Sequence, residues 1–117
     1  MDREINPCDI KIRVQPMGKD YAFIITGGVA HIGACAVAYF DRGQIIVEGA
    51  GLPAHKEWEL AKELALKATK VLRVTTTVVM GIHVDHATKE MIESIVSYVR
   101  VEMDRQIQIL NDDASLL

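Results

Sequence analysis

The sequence predicts an α+β fold, in which an antiparallel sheet of order ββββ-α-β-α carries two packed helices. Three observations support this prediction. Short apolar or alternating runs separated by turn residues fill the first half of the chain, as is typical of strands joined by tight turns. Two longer segments in the second half repeat apolar residues at helical spacing. A β-branched run, which favours a strand, lies between these two segments.

The first two strands are predicted on either side of a turn. Apolar and polar residues alternate from Asp9 to Gln15, which indicates a strand with one buried face and one wet face. Pro16 is expected to end this strand. The second strand, Tyr21 to Thr26, is apolar on both faces, and we therefore expect it near the centre of the sheet.

The third strand, from about Ala34 to Phe40, follows a turn that begins with Gly27 and Gly28. Paired glycines indicate either a sharp turn or backbone amides that are left unpaired. The alanines at positions 34, 36 and 38 share one face of the strand, because side chains alternate. A face this thin cannot fill a core, so a helix of the same chain, a planar ligand or a second subunit is expected against it.

The fourth strand is short and completes the predicted sheet of the first half. It runs from Ile45 to Glu48 after a tight turn at Asp41–Gln44, and the segment Gly49–Ala54 is expected to break the sheet. Because parallel neighbours need long crossover connections, four strands linked this closely predict an antiparallel meander.

Two helices and a fifth strand occupy the second half. The first helix is predicted from about His55 to Arg73. The β-branched run from Thr75 to Val84 predicts the fifth strand. The last helix, capped by Asp85 or Thr88, is predicted to reach about Leu110, beyond which the chain is expected to fray.

Length and composition are those of one globular domain, residues 1–117. The net charge of −3 offers no attraction for nucleic acid or an anionic membrane. The first residues lack the apolar segment of a signal peptide, and no apolar run has the length of a bilayer span. The two cysteines are expected to stay reduced, which predicts a cytoplasmic protein.

Polar residues with chemical potential lie near the predicted turns. His83 and Asp85 share a face of an extended chain, so they could pair with each other or contribute to a metal site. The spacing of residues 83–86 is a weak metal signal because zinc sites draw on more ligands, and no metal site is predicted. Cys35 has no activating base beside it, and no hydrolase, P-loop or zincin motif is present, so no catalytic residue is predicted.

A second group of residues could form an anion-binding corner. The amides of Gly27 and Gly28, the imidazole of His31, and the helix start at His55 and Lys56 are all hydrogen-bond donors. Helix N-termini attract phosphate through unpaired N–H groups and the helix dipole. If the glycine turn and the helix start meet in space, they suit a phosphorylated ligand.

Three blocks of sequence carry a resemblance to a known family. They are Gly27-Gly28 followed by His31-Ile32-Gly33-Ala34, then Gly51-Leu52-Pro53-Ala54-His55-Lys56-Glu57, and then Gly81-Ile82-His83-Val84-Asp85. With these blocks the chain resembles the LpdD-like prenylated-flavin chaperone family, which includes the small D subunit encoded with gallate-type hydroxybenzoate decarboxylases. The fold of that family is similar to proteasome-assembly-chaperone domains, in agreement with the predicted element order. His86 departs from the family pattern, where a small amide is more usual.

The resemblance implies a non-catalytic helper that carries or protects prenylated FMN, or FMN, between the flavin prenyltransferase and a UbiD-type decarboxylase. The residues expected to bind the cofactor are Gly27, Gly28, His31 and His55 or Lys56 at the phosphate, and His83 and Asp85 at the ring or ribityl end. Surplus apolar surface on a small α+β chain further predicts a homodimer.

Two other classes of function remain open from the sequence. One is a small enzyme, such as a lyase or isomerase, with His83 as base and Asp85 as its orienting partner. The other is a structural subunit or assembly chaperone of a decarboxylase that binds no ligand.

Overall fold

The computed structural model of the protein describes residues 5–53 and 57–115. These residues form five strands and two helices in the predicted order. They are β1 (Lys11–Met17), β2 (Asp20–Gly28), β3 (Ala34–Asp41), β4 (Gln44–Gly51), α1 (Trp58–Leu72), β5 (Thr76–His83) and α2 (Lys89–Ser115). The predicted α+β fold class and the element order ββββ-α-β-α are confirmed.

The sheet has the strand order β1-β2-β5-β3-β4, so the prediction of a simple four-stranded meander is wrong at one place. β5 lies between β2 and β3, parallel to the first and antiparallel to the second. The other pairs, β1 with β2 and β3 with β4, are antiparallel hairpins as predicted. Residues 29–33 connect β2 to β3 across the end of β5. Five residues are long enough for this, because two strands separated by a third lie about 10 Å apart.

Two strands continue past the residues that were expected to end them, for separate physical reasons. β1 continues through Pro16 to Met17 because it is an edge strand, where a residue without an N–H is tolerated. β4 continues to Gly51 through the glycines that were expected to break the sheet. A Cβ atom at Gly51 would lie 2.7 Å from Cβ of Trp58, so this glycine makes room for the first residue of α1.

Both helices lie on one face of the sheet and form a single core with it. The alanines at positions 34, 36 and 38 are buried against α1, which packs over β3, β4 and β5. Of the three coverings considered for this thin face, the helix of the same chain is confirmed. The buried residues of the helices are Ala61, Leu64, Ala65, Ala68, Thr69, Ile95, Val99, Met103 and Ile107.

The helix boundaries agree with the predictions at some ends and not at others. α1 begins at Trp58, so the predicted start at His55 lies outside the described residues. The hydroxyl of Thr88 accepts a hydrogen bond from the amide of Met91 at 3.1 Å, which identifies Thr88 as the N-terminal cap of α2. α2 continues to Ser115, so the fraying expected after Leu110 does not occur in the described part of the chain.

Within the described ranges, neither helix combines the length and the apolar character needed to span a membrane.

Candidate functional site

The pairing of β2 with β5 brings two histidines together at the end of the sheet. Gly28 pairs with His83 in the parallel register, and the amide of Val29 donates to the carbonyl of His83 at 2.9 Å. Residues 29–33 then turn back across β5. The ring of His31 lies 6.1 Å from that of His83, centroid to centroid, with the planes nearly perpendicular. The structure therefore brings these two imidazoles together.

Two glycines allow this close approach of the backbone. A Cβ atom at Gly81 would overlap the carbonyl oxygen of His31, and one at Gly28 would overlap the carbonyl oxygen of His83. Gly28 also has a φ of +60°, which other residues rarely adopt. Its amide donates to the carbonyl of Cys8 at 2.7 Å, so the expectation of a bare amide at Gly28 is wrong.

Glu57 joins this cluster, although it is absent from the predicted set of site residues. It immediately precedes α1, and only 15% of its side chain is exposed. Its Oε1 atom lies 3.5 Å from Nε2 of His31, while the buried Oε2 atom has no hydrogen-bond partner among the described residues. The carboxylate occupies the space that a Cβ atom at Gly33 would fill. A negative charge at this helix start interacts favourably with the helix dipole.

His83 and Asp85 are in contact with each other. Nε2 of His83 lies 2.8 Å from Oδ1 of Asp85, and the two side chains are 49% and 79% exposed. Of the two arrangements considered for these residues, pairing with each other is the one observed. Across residues 5–53 and 57–115, no group of three or more His, Cys, Asp or Glu side chains is placed to hold a metal ion.

An apolar cavity of about 270 Å³ opens beside the cluster. It lies between the start of α1, the end of β5 and the first turns of α2. Its apolar lining includes Leu60, Met80, Ile82, Ile92, Ile95 and Val96. Glu57 and His83 add polar groups to the wall, so the cavity and the histidine cluster are continuous.

The remaining residues of the predicted site are Gly27, His55 and Lys56. Gly27 is buried on β2, where a Cβ atom would lie 3.0 Å from the side chain of Ile10. His55 and Lys56 lie outside the described residues. The sequence signal that could have identified Glu57 is its place at the end of the second family-like block, directly before the helix.

The fold and the site together define a small α+β domain with an apolar cavity and a few convergent polar groups, the usual form of a small-molecule binding site. The chain belongs to the LpdD-like prenylated flavin chaperone family, whose sequence model matches residues 4–111. Among curated proteins, none matches the chain.

Proposed function

We propose that this protein binds prenylated FMN, or FMN, and carries it from the flavin prenyltransferase to a UbiD-type decarboxylase. The family supports the association with a prenylated flavin. The observation that carries the proposal is the apolar cavity with His83 in its wall and the ring of His31 6.1 Å from that of His83. Such a carrier needs an apolar cavity for a ring system and hydrogen-bond donors for a phosphate, and it needs no catalytic group.

The size of the cavity favours insertion of part of the ligand only. Pockets that enclose a whole drug-sized molecule measure about 300–1,000 Å³, and this cavity is about 270 Å³. We therefore propose that the ring end lies between Leu60 and Ile92, while the ribityl phosphate stays outside. There His31 and His83 can donate hydrogen bonds to it.

The remaining predicted residues keep supporting roles in the proposal. His55 and Lys56 directly precede Glu57 and α1, where donors to a phosphate would lie at the helix start. Asp85 holds the ring of His83, and Gly27 and Gly28 shape the end of β2. Since the amide of Gly28 is already bonded to Cys8, we assign it no bond to the ligand.

The proposal also includes a homodimer in the cytoplasm. The two cysteines are free thiols in the structure, which suits a reducing compartment. A carrier of this kind meets its partner enzymes there.

Loss of either imidazole is expected to weaken flavin binding. Fluorescence quenching and calorimetry with FMN and prenylated FMN should show affinity reduced by about tenfold or more for His31→Ala and for His83→Ala, because each removes a charge-compatible donor to phosphate. His86→Asn is the control, since asparagine tolerates the left-handed backbone found at position 86. Unchanged affinity in both alanine variants would show that the site is placed wrongly.

A small enzyme is the second candidate, and one observation favours it. The hydrogen bond of 2.8 Å between His83 and Asp85 has the geometry of a base with an orienting carboxylate. Turnover of a phenolic acid by the isolated protein, lost in His83→Asn, would support it. Co-purification with a decarboxylase without any flavin uptake would instead indicate a structural subunit.

A further inference from the structure

The sheet has a second face that neither helix covers. Both helices pack on the face that carries Phe23 and Val78, which are fully buried. The side chains that point the other way from β2, β5 and β3 are only partly buried, and none belongs to the core. They are Ala22, Ile24, Thr77, Val79, Cys35 and Val37. Among the described residues, this open face is flanked by turns and covered at one end by residues 29–33.

The composition of the open face is that of a covered surface. Strands that are apolar on both sides are typical of sheets buried on both faces, and β2 and β5 have this pattern. Contiguous apolar patches beyond a few hundred Å² are rare on monomers. Five strands of about eight residues present about 650 Å² in projection, close to the roughly 800 Å² per partner of a standard interface.

The edges of the open face carry opposite charges. On β1, Lys11 and Arg13 alternate with the core residues and so lie on the open side. On β4, Glu48 pairs with Val37 and lies on the same side. Burial, and after it the neighbouring carboxylate of Glu48, raises the pKa of the Tyr39 hydroxyl. One edge of the face is therefore basic and the opposite edge is acidic.

We propose that the open face packs against the same face of a second copy of this chain, with the two-fold axis parallel to the strands. This axis places β1 of each copy over β4 of the other, so that Arg13 approaches Glu48 of the partner subunit twice. An axis in the interface plane but perpendicular to the strands places β1 over β1, with basic edges in contact. A two-fold dimer of this kind is closed, because the same face is used by both copies. The strands of the two packed sheets are expected to cross at about 30°.

The dimer leaves both cavities accessible. Each cavity lies between the sheet and the helices, on the side away from the open face. The cavity lining therefore lies away from the proposed interface, whereas residues 29–33, which carry His31, lie over Gly81 at one end of the open face. Variants of the cavity lining, rather than of His31, separate ligand affinity from assembly.

The first test is the state of assembly in solution. Sedimentation equilibrium and light scattering from about 1 to 100 μM should show a dimer for the wild type. Ile24→Lys puts a charge at the centre of the open face and should weaken the dimer by about a hundredfold or more. Val101→Lys is the matched control, because Val101 is 52% exposed on α2, away from the face, and this variant should stay dimeric. Circular dichroism checks that both variants are folded.

The second test is a charge exchange that fixes the direction of the axis. Arg13 is the basic group to vary, because Lys11 already lies 3.6 Å from Asp9. Arg13→Glu and Glu48→Arg should each weaken the dimer by about tenfold, and the double variant should return to near wild-type affinity. A monomeric wild type, a dimer indifferent to Ile24→Lys, or a dimer tightened by Arg13→Glu alone would overturn the proposal.

Discussion

At the scale of single residues, the glycines near the site have different physical roles. Gly81 lets the backbone of His31 cross directly over β5, and Gly33 leaves space for the carboxylate of Glu57. Gly18 and Gly43 have positive φ angles but open space around them. Neighbouring atoms exclude a side chain at Gly81 and Gly33, whereas at Gly18 and Gly43 only the positive φ disfavours one.

Replacing Gly81 by alanine is therefore expected to cost more stability than replacing Gly18. At Gly81 the new methyl group meets backbone atoms of His31, so the whole crossing segment must shift, at a cost of about 3 kcal/mol or more. At Gly18 the cost is that of a strained φ alone, about 1 kcal/mol. Denaturant unfolding of both variants gives the two values, and equal losses would contradict a tight crossing in solution.

Residue chemistry near the site was predictable from the sequence only in part. The sequence placed His31 and His83 beside turns and assigned both to one ligand, but whether their rings meet depends on the pairing of β2 with β5, which the sequence does not show. The bond from Gly28 to Cys8 was not expected, because it depends on how the segment before β1 folds back. Glu57 was missed for a similar reason, since its contacts with His31 and Gly33 are distant in sequence.

At the scale of elements, periodicity predicted the types of the segments but not their neighbours. The apolar stripes identified α1 and α2, and the alternation in β1 identified its buried face. The position of β5 between β2 and β3 was not predicted, because short links between the first four strands favoured a meander. α1 supplies the long crossover through which β5 reaches its parallel position beside β2.

A buried pair of hydroxyls fixes α1 to the sheet. Thr69 donates to the carbonyl of Ala38 at 3.0 Å and lies 2.9 Å from the hydroxyl of Thr76. Thr76 in turn donates to the carbonyl of Ala65 at 3.2 Å. Both threonines are almost fully buried, so their bonds cannot be replaced by water.

Removing one of these hydroxyls should cost more than half of the unfolding free energy that is lost when both are removed. Thr69→Val keeps the shape and should lower the free energy of unfolding by about 1–3 kcal/mol, because it leaves buried polar groups without a partner. Thr69→Val combined with Thr76→Val should cost less than the sum of the single variants. Additive losses in thermal or denaturant unfolding would show that the two hydroxyls act independently.

At the scale of the whole molecule, the two faces of the sheet have different surroundings. The helices, the core and the cavity lie on one side, and an apolar surface with charged edges lies on the other. The sequence predicted surplus apolar surface, because β2 is apolar on both faces. On β2 itself the sequence could not indicate which face the helices cover, because both of its faces are apolar.

Filling the cavity should separate ligand binding from stability. Val96 lines the cavity on α2, and Val96→Phe places a ring where we propose that the ring of the ligand lies. The free energy of unfolding should stay equal or rise, because the added ring is buried without displacing packed atoms.

The consequence is measurable as a ligand-induced shift in thermal unfolding. Wild-type protein with flavin at about 100 times Kd gains about 2.7 kcal/mol, which raises Tm by about 10 °C in a domain of this size. Val96→Phe should lose this shift while keeping its own Tm. Val101→Phe, on the exposed side of the same helix, should retain it. If Val96→Phe kept the full shift, the ring would have to bind outside the cavity, and the division of the molecule into a ligand side and an assembly side would no longer hold.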